Sequence, residues 1–154
     1  MTRAPAGSMR VYLDANVLVR GMERTDTGAG EVGRLIEFAG RNRLELVTSE
    51  LTLSEVLVGP IRVGDDHLVA AYLDLLTDDS VCKLLPVTRD ILIESSQIRA
   101  RSSARLADSV HVATAKLSGC RFIVSYDRRL RDFCDLDAIE PSHALFATLD
   151  AQPR

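Results

Sequence analysis

Four carboxylates stand at comparable places in this sequence. Asp14 closes an apolar run, Glu55 sits among apolar residues in a helical stretch, Asp108 opens a helix, and Asp127 follows a second apolar run. Ionised carboxylates about 5 Å apart repel one another by about 3 kcal/mol per pair at an effective dielectric near 20, so a cluster of them needs a counter-charge. A divalent cation is the natural one. Oxygen donors without Cys or His select hard ions such as Mg²⁺ or Mn²⁺, which keep several waters and bind through few carboxylates together with substrate phosphate. Such ions turn a bound water into a nucleophile and neutralise charge on a phosphodiester as it is attacked. The helix N-terminus beneath Asp108 also favours its ionised form.

Each acid alone has an ordinary structural explanation. Asp108 reads equally as an N-cap, Asp127 as a turn residue, Asp14 as a strand-end acid and Glu55 as a solvated helix glutamate. Their conjunction favours a site. Asn16 reads either as a helix cap or as a group orienting a ligand, and Ser125 either bonds its own turn or supports the acids. Lys116, Arg128, Arg129 and Arg131 are candidates for holding phosphates, against the plainer alternative of a solvated charged face. His111 lies one turn from Asp108, but His67, His111 and His143 are scattered along the chain and a metal-ligand role is not expected of them.

These residues must be positioned by elements, and the stretch 107–127 shows how. Val110, Ala113 and Leu117 share a helical face, Gly119 suits the end of that helix, and Phe122-Ile123-Val124 reads as a strand covered on both sides. In α/β proteins ligands gather beyond the carboxyl ends of such strands, where Asp127 should lie. Met9 to Asp14 reads as a strand ending on an acid, with a short helix from Asn16 to Gly21. Thr27 can cap a helix that ends near Gly40, and a strand from Leu44 to Thr48 follows. Ser49 is a plausible cap for a helix from Glu50 to Val58, stopped by Gly59-Pro60. Asp65 or Asp66 caps a helix with the apolar stripe Leu68, Ala71, Tyr72, Leu75 and Leu76. Val81 to Pro86 is a third strand, and Thr88 caps a helix running to about Arg101. A short basic helix from Arg128 to Phe133, a weak strand around Ile139 and a helix opened by Pro141-Ser142 complete the chain. Strands alternating with helices imply right-handed crossovers and a parallel sheet of four to five strands with helices on both faces.

A chain of 154 residues fits one domain able to bury about 68–70% of its unfolded surface. Residues 9–154 are expected to form that domain, with residues 1–8 a disordered leader or a tag remnant. The three cysteines, Cys82, Cys120 and Cys134, have no CxxC spacing and read as reduced thiols of a cytoplasmic protein. There is no apolar run long enough to span a bilayer and no signal-peptide core, so no membrane association is expected. The net charge of −3 argues against broad nonspecific nucleic-acid binding but is compatible with a local basic rim.

From Met9 onward the chain resembles the PIN-domain ribonucleases, specifically the VapC toxins of bacterial toxin-antitoxin pairs. The resemblance is carried by Leu13-Asp14-Ala15-Asn16-Val17-Leu18, Ser54-Glu55-Val56-Leu57, the segment Ala107-Asp108-Ser109-Val110-His111-Val112-Ala113-Thr114-Ala115, and Val124-Ser125-Tyr126-Asp127-Arg128. Each motif alone is weak, and four in this order are strong. The resemblance implies a PIN-like three-layer α/β/α sandwich and Mg²⁺- or Mn²⁺-dependent endonucleolytic cleavage of RNA. It further implies a homodimer inhibited by a small VapB-type antitoxin. By the same carry-over, Asp14, Glu55, Asp108 and Asp127 form the acidic metal site, with Asn16 and Ser125 as polar supports. The family more often has Thr at the position of Ser125, and the hydroxyl is retained.

An acid after the first strand of a parallel sheet also occurs in phosphotransfer proteins and phosphatases that phosphorylate it, with Asp14 then the acceptor. Haloacid-dehalogenase-like phosphatases need a second Asp two residues on, where this chain has Asn16. Response-regulator receivers want a lysine after a late strand, where it has Tyr126-Asp127. Nothing in the sequence specifies which RNA would be cut. Excess apolar residues in Leu51-Leu53-Val56-Leu57-Val58 and in 68–76 point to partner-facing helices.

Overall fold

The strand β1, Met9–Leu13, runs through the middle of the protein, with Val11, Tyr12 and Leu13 inaccessible to solvent. Such a run of apolar residues fits a strand with helices over both faces. In the computed structural model, which describes residues 9–23, 27–41 and 44–150 and not the side chains of 27–29, 143, 144 and 150, four further strands join it. They are β2 (Leu44–Ser49), β3 (Lys83–Leu85), β4 (Phe122–Val124) and β5 (Asp137–Ile139). Their order is β3-β2-β1-β4-β5, every neighbouring pair is parallel, and Val11 lies beside Leu46 on one side and Phe122 on the other.

Successive residues of a strand point to opposite faces, so β1 feeds two cores. Val11 and Leu13 face a core closed by α1 (Ala15–Glu23), α2 (Thr27–Arg41), α3 (Leu51–Val56), α5 (Asp66–Thr77) and α8 (His143–Asp150). Tyr12 faces a second core beneath α6 (Arg89–Ala100) and α7 (Leu106–Leu117). The result is the expected α/β/α sandwich with a five-stranded parallel sheet. Close approach of α1 to α2 depends on Gly21, because a Cβ there would lie 2.8 Å from Val32 Cβ.

Local chemistry sets most helix boundaries as anticipated. The Asp65 carboxylate accepts from Leu68 N at 3.0 Å and the Thr88 hydroxyl from Ile91 N at 3.4 Å, each closing a first turn. Gly119 adopts φ +73° just past α7, a left-handed conformation that glycine takes without steric cost. The expectations for residues 1–8 lie outside the described residues, as does the side chain of Thr27.

The segment after β2 departs from the expectation. Gly59-Pro60 does not stop a helix: α3 ends at Val56, and α4 (Val58–Val63) begins before the proline. Pro60 falls in the first turn of α4, where its missing N–H leaves no hydrogen bond within α4 unmade. Asp108 also sits differently, as the third residue of α7 rather than its cap, which is Arg105.

The chain proceeds from β1 to β2 and β3 on one side, then crosses to β4 and β5 on the other. The order reverses between β1 and β4, so a crevice opens beyond their carboxyl ends. Asp14 follows β1 and Ser125 follows β4 at that point.

Candidate active site

Asp14 N donates to Val124 O at 3.0 Å, extending the β1–β4 pairing by one step and fixing where its carboxylate emerges. Asn16, the second residue of α1, turns back to donate from Nδ2 to Asp14 Oδ2 at 2.7 Å. The Ser125 hydroxyl donates to the same oxygen at 2.7 Å. Two further bonds lace the loops together: Asn16 Nδ2 donates to Ser125 Oγ at 3.1 Å, and Tyr126 N donates to Asn16 Oδ1 at 3.1 Å. Asn16 and Ser125 are thus supports of Asp14 here.

Desolvation pushes the Asp14 carboxyl above its ordinary value. The His111 charge and the Ser125 hydrogen bond pull it back, and the Glu55 charge adds to the rise. The ionised form is therefore short of positive charge, a deficit that a cation would relieve.

Glu55, on α3, reaches over to α7. Its Oε2 lies 2.6 Å from His111 Nε2, while His111 Nδ1 lies 2.6 Å from the Tyr12 hydroxyl. His111 is only 2% exposed, yet both ring nitrogens are bonded. Burial lowers the imidazole pKa, but the Glu55 hydrogen bond and the charges of Asp14, Glu55 and Asp108 outweigh it and leave the pKa raised. The charges of three of the four acids thus act on one imidazole, and Glu55 is the one bonded to it directly.

Asp127 faces a different cation. Arg129 N donates to Oδ1 at 2.9 Å, and the Arg129 guanidinium closes on both carboxylate oxygens with Nη2 2.5 Å from Oδ2. Hydrogen bonding to Arg129 holds the Asp127 carboxyl below its ordinary value, with the Arg129 and Arg105 charges assisting. The Asp108 charge reaches Arg129 in turn. The Ser125 hydroxyl, accepting from Asp127 N at 2.9 Å, ties this side of the rim to Asp14.

The basic candidates are placed unequally. Arg128 projects into solvent and donates to Glu140 at 2.9 Å. Lys116 is eight residues beyond Asp108, about 12 Å along α7 at 1.5 Å per residue, and pairs with Glu94 at 2.6 Å. The geometry brings Arg129 to the acids and leaves Lys116 at the opposite end of the helix. Arg131 bonds Ala138 O at 3.3 Å. The sequence weighed His111 only as a metal ligand, not as a partner of Glu55, and did not single out Arg105, whose charge acts on Asp127. The one available signal was the spacing of His111 from Asp108.

Among the described residues no three His, Cys, Asp or Glu side chains converge into a ready-made metal cage. The donor chemistry still fits Mg²⁺ or Mn²⁺, since Mg²⁺ characteristically binds through one or two carboxylates and retains waters. Asp14 offers an oxygen supported by two donors on a carboxylate deprived of solvation, with the Glu55 charge acting on it.

The sequence profile described as "PIN domain" matches residues 11–136, which include all four acids. No curated protein matches the chain at a significant level. Solved structures do match in shape. A toxin-antitoxin complex from Klebsiella pneumoniae is similar at 20% identity and TM-score 0.64, over 86% of this chain and 98% of that one. VapBC2 from Rickettsia felis, bound to a DNA fragment from its promoter, is similar at 12% identity and TM-score 0.71, over 86% and 98%. VapC20 from Mycobacterium tuberculosis, described as a Sarcin-Ricin loop cleaving toxin, is similar at 20% identity and TM-score 0.61, over 79% and 93%.

Proposed function

Because this chain belongs to the PIN-domain family, we propose that it is a divalent-metal-dependent endoribonuclease, the toxin of a type II toxin-antitoxin pair. The observation that carries the reading is the desolvated Asp14 carboxylate, held by Asn16 and Ser125 at the strand crossover and acted on by the charge of Glu55, which His111 holds. Asp14 and Asp108 would hold Mg²⁺ or Mn²⁺, with Glu55 and Asp127 completing the acidic rim. The ion, when bound, supplies a nucleophilic water at neutral pH and offsets negative charge on the phosphodiester. Asn16 and Ser125 orient Asp14, and Arg129 brings a guanidinium to the rim where an RNA phosphate would lie, with Arg128 and Lys116 farther out.

The phosphotransfer alternative gains nothing from the geometry. Asn16 spends its amide on Asp14 where a phosphatase would require a second carboxylate.

Partners follow from the exposed apolar surface. Leu51, Leu53, Leu57, Leu68 and Leu75 pack against the cores, whereas Ile61 and Val63 on α4 are 63% and 77% exposed, with Val58 and Leu73 exposed nearby. This favours a homodimer and a VapB-type antitoxin segment covering α4 and α5. The similarity in shape to chains from toxin-antitoxin complexes supports the same reading. Among the described residues no helix is long and apolar enough to cross a membrane, consistent with action on RNA in the cytoplasm.

The test is cleavage of a fluorogenic RNA by the purified chain with Mn²⁺, with EDTA, and after Asp14→Asn. Metal-dependent cleavage lost in the variant is expected. Cleavage indifferent to both EDTA and Asp14→Asn would overturn the proposal, and mapping cut ends in cellular RNA would define the target.

A further inference from the structure

We infer that His111 is a positioning residue for Glu55, itself set by the Tyr12 hydroxyl behind it, and that this buried chain aims the Glu55 carboxylate into the acidic site. The inference rests on the metal-dependent reading above. Its basis is geometric. Ser49 N donates to the Tyr12 oxygen at 3.1 Å, Tyr12 meets His111 Nδ1 at 2.6 Å, and His111 Nε2 meets Glu55 Oε2 at 2.6 Å. The chain thus begins at the end of β2 and passes through β1 and α7 to reach α3.

Two features separate this arrangement from a histidine merely satisfied in a core. The Tyr12 and His111 rings meet edge to face at an interplanar angle of 60°, which fixes the imidazole plane as well as its hydrogen bonds. The far end of the chain is an accessible carboxylate: Glu55 is 34% exposed at its side chain whereas His111 is 3% exposed, so the buried part terminates on a group that meets solvent. Glu55 stands on a helix of six residues, and among the described residues His111 is its one hydrogen-bonding partner. Without that bond a glutamate on so short an element has three free torsions, and its carboxylate would sample positions far from Asp14 and Asp108. Charged or neutral, the imidazole with a proton on Nε2 donates to Glu55; in the neutral form the Tyr12 hydroxyl, whose oxygen accepts the Ser49 N–H, turns its own proton to Nδ1. Hydrogen bonds behind a ligand of this kind typically alter metal affinity 10–100-fold when removed.

The test is a double-mutant cycle read by Mn²⁺ calorimetry. His111→Ala should weaken Mn²⁺ binding by about tenfold, and Tyr12→Phe, which keeps the ring and its volume, by a few-fold. In a Glu55→Ala background neither change should weaken it further. Equal losses in both backgrounds would overturn the inference, because His111 would then act independently of Glu55. In the metal-free protein, nitrogen NMR should find the imidazole proton on Nε2, and a ring bare at Nε2 would equally overturn it. Should His111→Ala fail to fold, Tyr12→Phe carries the cycle. With RNA, the same variants should lower kcat and leave KM unchanged. A wild-type protein that binds Mn²⁺ and shows the coupling but cleaves no RNA would sink the nuclease reading alone, whereas cleavage with no coupling would sink this one alone.

Discussion

Arg129 grips Asp127 from two residues away, with its backbone N–H and its guanidinium on the same carboxylate. A candidate metal ligand is therefore already supplied with positive charge, and cation and guanidinium must share it. Asp127 has a lowered pKa, so its contribution to folding is present above the ordinary carboxylate value of 3.8 and is lost as pH falls through the lower folded value. Arg129→Gln should raise the Asp127 pKa toward 3.8, seen by carbon NMR, and should raise KM for RNA more than it lowers kcat. An unchanged Asp127 pKa would show that the ion pair does not persist in solution.

Asp14 has the opposite sign. Its folded pKa is raised, so the stabilisation belonging to the neutral form is present below 3.8 and is lost as pH rises through the folded value. At pH 7 the ionised group costs stability. Asp14→Asn should therefore raise the melting temperature of the metal-free protein, by the equivalent of about 1–2 kcal/mol, while abolishing cleavage. Mg²⁺ should raise the wild-type melting temperature more than that of the variant, by linkage. Scans with and without Mg²⁺ decide this, and a destabilised variant would contradict it.

Gly21 and Gly33 make a paired prediction about packing. A methyl group at Gly21 meets Val32 at 2.8 Å, whereas at Gly33 nothing lies within 4 Å. Gly21→Ala should cost about 1–3 kcal/mol through overpacking, more than helix propensity returns. Gly33→Ala should stabilise by about 0.5–1 kcal/mol. Urea denaturation of the two variants measures both, and equal effects would refute the close α1–α2 approach.

Burial pushes the Cys82 thiol up to about 12 and the Cys120 thiol up to about 11. Both should stay unreactive toward a thiol reagent at pH 8 in the folded protein and react on unfolding. Raised folded values also mean that their stabilising contribution is complete below the ordinary value of 9.0 and is lost as pH rises to about 11 for Cys120 and about 12 for Cys82. Rapid labelling of Cys82 in native protein would disprove its burial.

The sheet was largely legible because its strands are short apolar runs bounded by acids and turns, and Thr88 and Asp65 announced their helices locally. Leu57 shows where that legibility ends. Leu57, between α3 and α4, keeps helical dihedrals, and Pro60, lacking an N–H, leaves the Val56 carbonyl without its donor, so the proline's effect falls a turn before the boundary that Gly59-Pro60 suggested. Among the site residues, the four acids were recognised as motifs, but no local pattern could reveal that Tyr12, His111 and Glu55 meet. Their separations of 99 and 56 residues are closed only by the sheet. Lys116 illustrates the converse: it is close in sequence to Asp108 and far from it along the helix.

The bonds from Ser125 to Asp14 and from Asn16 to Ser125 span 111 and 109 residues. Residues near the start of the chain are thus completed by residues near its end, and loop closure on that scale is a late event in folding. During synthesis the first 120 residues can build β1, β2 and β3 while Asp14 still lacks the hydroxyl that orients it. Until β4 docks, Asp14 keeps only the Asn16 half of its support, so its orientation is set last among the parts of this crevice.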